Sequence, residues 1–174
     1  PFGNGHTNET SNDPVKDNPL IAFIDPSDEE KMMDELIPAS PVSDAVLTAL
    51  VQSEVSSASK HAILSIQGNL SNVIWSEIWL NLNSFSSSHV EQLLEDHSYL
   101  SDQIILGMFN AIDRRSSASM VTSVGLKNSY LSGQVMLAML ASNVDMPGNS
   151  FADILSQQPQ LPQADLITIL NCDK

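Results

Sequence analysis

Tyr99-Leu100-Ser101-Asp102-Gln103-Ile104-Ile105-Leu106-Gly107-Met108-Phe109 returns almost intact as Tyr130-Leu131-Ser132-Gly133-Gln134-Val135-Met136-Leu137-Ala138-Met139-Leu140. Looser copies run from Val42 to Val51, Leu70 to Trp79 and Leu161 to Leu170. Five principal helices are therefore predicted to start at Ser43, Ser71, Ser101, Ser132 and Pro162, at spacings of 28, 30, 31 and 30 residues. Ser at an N-cap accepts a hydrogen bond from an orphan backbone N–H, and the apolar residue before it can staple onto the fourth helical position. The expected staples are Val42 with Leu47, Leu70 with Trp75, Leu100 with Ile105, Leu131 with Met136 and Leu161 with Leu166. Counted from the cap, positions three, four, seven and eight are apolar in nearly every copy, which is one face of a 3.6-residue helix. Asp165 is the polar exception. Position six is small at Ala49, Gly107 and Ala138 and modest at Thr168, which lets a neighbouring helix approach closely. Glu77 breaks that column and is expected to point outward.

Between these copies lie partner segments that also open on Ser or Pro and then turn apolar: Ser56 to Gln67, Ser86 to His97, Ser116 to Lys127 and Pro147 to Gln157. The unit is thus a helical hairpin of roughly 30 residues. A single hairpin cannot bury its apolar face, and the next one supplies the missing wall. The expected fold is all-α, a right-handed α-solenoid of short hairpins; a compact bundle of the same helices is the alternative, and would need no regular period. Residues 19–174 form the helical domain. Its first part is an apolar run, Leu20 to Ile24, read as an extended anchor or a single helical turn. A leading helix follows over 28–37, opened by a capping box in which Ser27 pairs with Glu30, and ended by Pro38 and Pro41.

Residues 1–18 are rich in Gly, Asn, Thr, Asp and Pro, with Phe2 the one large apolar side chain besides Val15, and read as a flexible polar arm. The chain begins at Pro1 without Met, so it is expected to be a processed product or part of something longer. The net charge of -14 arises mostly from the scarcity of Lys and Arg, seven in all. With Arg114-Arg115 a lone pair and the lysines scattered, no basic stripe exists to release counterions from nucleic acid or to hold an anionic membrane. Apolar runs fall far short of the ~20 residues that span a bilayer. One cysteine, Cys172, excludes an internal disulfide. Asn8 and Asn69 sit in acceptor tripeptides for N-glycosylation, a pattern common by chance.

The run Ser98-Tyr99-Leu100-Ser101-Asp102, recurring as Ser129-Tyr130-Leu131-Ser132-Gly133, resembles the tandem Leu-Ser-Asp helical repeats of long secreted or surface-attached proteins of Bacteroidota. The likeness covers about residues 41–170, and in period alone the chain is also similar to armadillo and HEAT arrays. It implies an extracellular or cell-surface module of a larger protein, with no catalytic residues to carry over.

Candidate chemistry is sparse. His61, His89 and His97 make no His-x-x-x-His or Glu-x-x-His pair, and His89 and His97, with Glu91, Glu95 and Asp96, read as a solvated polar face. No Gly-x-Ser-x-Gly elbow, phosphate loop or calcium hand is present, and helix caps account for the serines. No catalytic, metal or cofactor residue is assigned. The expected role is a non-enzymatic structural or interaction module that binds a protein partner or self-associates. Its candidate interface is the last helix, where Leu166, Ile167, Ile169 and Leu170 repeat interior columns with little chain after them to cover them. The alternative is a small-ligand or enzymatic pocket where Trp75 and Trp79, with Glu77, meet His61 or His89; both tryptophans also fit core columns.

Overall fold

The computed structural model describes residues 18–97, 100–111, 118–128, 130–142 and 148–171. The polar arm up to residue 17 with His6 and Asn8, the Arg114-Arg115 pair and Cys172 lie outside the described residues. Among those described, the secondary structure is entirely helical. A 3-10 turn at Pro19–Phe23 precedes α1 (Glu29–Ala39), α2 (Asp44–Gln52), α3 (Ser57–Ser65), α4 (Asn72–Leu80), α5 (Ser87–Asp96), α6 (Asp102–Ala111), α7 (Ala118–Lys127), α8 (Gly133–Ala141), α9 (Gly148–Ser156) and α10 (Gln163–Leu170). A second 3-10 turn, Leu82–Ser84, links α4 to α5. The Pro19 segment takes the helical of its two expected forms and lies against α1 and α2.

Helices this short are marginal alone in water, so burial must hold them. Most of the contacts run between helices two apart in the chain. Along one row α1 touches α3, α3 touches α5, α5 touches α7 and α7 touches α9; along the other α2 touches α4, α4 touches α6, α6 touches α8 and α8 touches α10. Their apolar faces meet in one continuous cluster. The periodic positions supply it. Val46, Leu47, Leu50 and Val51 of α2, Ile74, Trp75, Ile78 and Trp79 of α4, and Ile104, Ile105, Met108 and Phe109 of α6 are all buried. In α8 Val135, Met136 and Met139 are buried and Leu140 is partly so; in α10 only Ile169 is buried.

The principal helices start where the serines predict. Ser71, Ser101 and Ser132 accept from the N–H of Ile74, Ile104 and Val135 at 3.4, 3.4 and 3.3 Å. Ser56 and Ser86 cap the partner helices α3 and α5 in the same way. Ser43 stands at its cap position without that bond, its Oγ instead accepting from Asn18 Nδ2 at 3.1 Å. The leading helix departs from expectation. Its cap is Asp28, which accepts from the Lys31 N–H at 3.2 Å, while Ser27 donates its N–H and hydroxyl to the Asp25 carboxylate at 2.9 and 2.7 Å. Pro38 sits inside its last turn and the helix runs on to Ala39.

Successive helices of a row are also tied at their N-terminal ends. Glu29, first residue of α1, accepts from the N–H and hydroxyl of Ser56, both at 2.7 Å, and from the Ser59 hydroxyl at 2.6 Å. Asp44, first residue of α2, accepts from the Ser71 hydroxyl at 2.7 Å. A cap serine thus closes its own helix and holds the preceding one. The Ser56 and Ser59 hydroxyls stabilise the ionised form of Glu29 and keep its acidity stronger than usual for a glutamate.

Candidate functional site

The last helix is where the apolar columns run out of cover. The eighth position from the cap is occupied by Trp79, Phe109 and Leu140, and in the first two only 6 % of the residue is exposed. At the same position of α10, Leu170 is 73 % exposed, and Ile167 beside it is 53 % exposed. Ile169 is buried and Leu166 packs on the core, so of the four residues of the candidate interface two face inward and two outward.

The two tryptophans serve the core. Their rings stack at 5.2 Å, Trp79 Nε1 donates to the Ile104 carbonyl of α6 at 3.1 Å, and the Trp79 ring lies beside Gly107. Trp75 nevertheless forms one wall of a crevice of about 210 Å³ between the N-terminal ends of α4 and α6, lined also by Asn69, Asn72, His97, Ser101 and Ile104. His97 is the histidine at this crevice. His61 and His89 belong to the other row, stacked on each other with ring centroids 5.0 Å apart and 14° between planes. Glu77, expected to point outward, is half-buried and accepts from Gln52 Nε2 of α2 at 3.0 Å; the neighbouring amide gives its carboxylate a reason to lie along the row.

A column that sequence reasoning did not isolate closes each partner helix: Gln67, His97, Asn128 and Gln158, at spacings of 30, 31 and 30 residues. Gln67 is buried; its Oε1 accepts from the Val42 N–H at 3.0 Å and its Nε2 donates to the Ile63 carbonyl and the Ser40 hydroxyl at 2.7 and 3.1 Å. Gln158 repeats this, accepting from the Leu131 N–H at 2.7 Å and donating to the Asn128 carbonyl at 3.3 Å. Val42 and Leu131 are the residues just before cap serines, so each glutamine clamps the end of a partner helix to the start of a principal one. The expected solvated face is corrected at His97. Its ring is buried edge-on to Trp75, with centroids 6.0 Å apart, and the Leu64 and Gly68 carbonyls face it, yet neither nitrogen makes a hydrogen bond. Burial pushes its basicity below that of a free imidazole. The reason lies in its place in the column, which follows the helix end into the joint between hairpins, while Glu95 and Asp96 remain exposed.

Lys60, read as one of several scattered lysines, is completely buried. Its Nζ donates to the Val51 carbonyl in the last turn of α2 at 3.0 Å and lies 5.4 Å from the Phe85 ring centre. Burial lowers its basicity, with Glu54 and Glu29 acting in the opposite sense.

No protein-family profile matches the chain, and no curated protein or solved structure matches it significantly. No helix among the described residues is long and apolar enough to cross a membrane.

Proposed function

We propose that this chain is a non-enzymatic interaction module: a right-handed α-solenoid of helical hairpins, part of a secreted or surface protein, that engages a protein partner or a second copy through its last helix. The observation that carries the interaction reading is the exposure of Leu170 in a column that the next helix of the row covers at Trp79 and Phe109, with Ile167 exposed beside it. The solenoid reading is supported by contacts that join helices two apart along both rows, and by spacings near 30 residues in the caps and in the Gln67 column alike. The location outside the cell rests on the Leu-Ser-Asp resemblance and is tested by fractionating the native host.

Light scattering at micromolar concentration, on the intact chain and on Ile167→Glu and Leu170→Glu, tests the interface. Association of the intact chain that is lost in both variants, with melting unchanged, is the expected result. A monomer at every concentration removes the second copy as occupant, and variants that unfold show that both side chains serve the intramolecular core. A second reading, a small-molecule site, is favoured by the Trp75–His97 crevice alone. Saturable thermal stabilisation by a compound, abolished by a substitution at Asn72 or Ser101, would support it over the interaction role.

A further inference from the structure

The contact between α3 and α5 differs from the others of its row in being built from imidazoles. His61 of α3 lies flat against His89 of α5, and His97, at the end of α5, is buried against the α3–α4 connection. The second ring is held by a short relay: Ser57 Oγ accepts from the Ser86 N–H at 2.7 Å and lies 2.6 Å from His89 Nδ1. Nε2 of His61 and both ring nitrogens of His97 are buried without a hydrogen-bond partner. A proton taken up at His97 would place a charge in a buried site faced only by the Leu64 and Gly68 carbonyls, and one taken up at His61 would face a second imidazole across 5.0 Å.

We propose that the α3–α5 joint is an acid-sensitive hinge, held shut by neutral His61 and His97 and loosened when they are protonated.

The charged groups facing these rings do not offset the cost. Asp96 of α5 favours the protonated forms of His61 and His97, whereas His89 opposes protonation of His61 and Lys127 of α7 opposes that of His97. From α1, Glu29 is engaged with Ser56 and Ser59. Burial leads in both cases, and His61 and His97 are each less basic than free imidazole. The sign follows. A base whose folded-state affinity for protons is depressed contributes stability above its unfolded pKa, near 6.5, and that stability is lost as pH falls from there through the lower folded value. The carboxylates are still largely ionised over most of this window, so they do not mask the effect.

The comparison with Gln67 and Gln158 supplies the control. A glutamine at the equivalent position makes the clamp that His97 does not, and it cannot be charged. Hydrogen exchange of the full chain, corrected for intrinsic rates, should show α3, α5 and the segment 66–70 opening roughly tenfold more often for each pH unit below about 6.5 per proton taken up, while α8 and α10 change little. In His61→Phe/His97→Gln, which keeps a flat ring against His89 and installs the clamp, that local response should vanish. Acid response spread evenly over all helices, or retained undiminished in the double variant, would overturn the proposal. Should the double variant fail to fold, imidazole titration by NMR on the native chain decides the matter: His61 and His97 must titrate below free histidine, and values at or above it refute the hinge.

Discussion

Lys60 shows how a single residue can contradict its column. Counted from the cap of its helix it occupies the position of Val90 in α5, and its stem is buried accordingly, with the ammonium turned to the C-terminal end of α2 where the helix dipole is negative. Because burial outweighs that attraction, Lys60→Met should raise the melting temperature, whereas Lys60→Ala should lower stability by about 2 kcal/mol or more through the cavity it leaves. Thermal melts of both variants check this, and a loss in Lys60→Met would mean that the Val51 and Phe85 contacts dominate. Ser132 and Ser43 give a second contrast. Ser132→Ala removes a cap bond and should cost about 1 kcal/mol in denaturant unfolding, while Ser43→Ala, with no such bond to lose, should cost clearly less.

At the scale of elements, the glycines separate packing from helix propensity. A Cβ on Gly125 of α7 would fall 2.6 Å from Ile154 of α9, so Gly125→Ala should overpack that contact and destabilise by roughly 1–3 kcal/mol. A Cβ on Gly133 of α8 would run into the Asp165 side chain of α10. This accounts for one departure between the closest pair of copies, Gly133 where the other has Asp102: a carboxylate from the next helix already fills the place. Gly133→Asp, which restores the pattern, is expected to weaken the α8–α10 contact more than Gly133→Ala, read as faster hydrogen exchange in α10. Gly107 is different. Its Cβ would meet the Trp79 ring at 3.4 Å, an ordinary contact, so Gly107→Ala should stabilise by up to about 1 kcal/mol through helix propensity alone.

For the whole molecule, 21 acidic residues against seven basic ones make self-repulsion a standing cost. Raising salt from low to about 0.15 M should therefore raise the melting temperature, since screening relieves repulsion between exposed charges; a fall would indicate that local pairings such as the buried Lys60 site matter more. The alternation of buried positions, the cap serines and the helix order were legible in the sequence because each depends on residues within one or two turns, where a 3.6-residue period and a capping hydroxyl act locally. The core role of both tryptophans followed from comparing copies. Other features were decided only by the tertiary structure. Whether a polar side chain at a helix end meets water or a neighbouring hairpin depends on how the hairpins stack, so His97 read as part of a solvated face, Gln67 and Gln158 did not stand out, and all three are buried joints. The stacking of His61 on His89 joins residues 28 apart in the chain, and Glu77 lies along the row against an amide 25 residues away. No local pattern records these distances, because burial and partnership at a joint are set by the packing of whole helices.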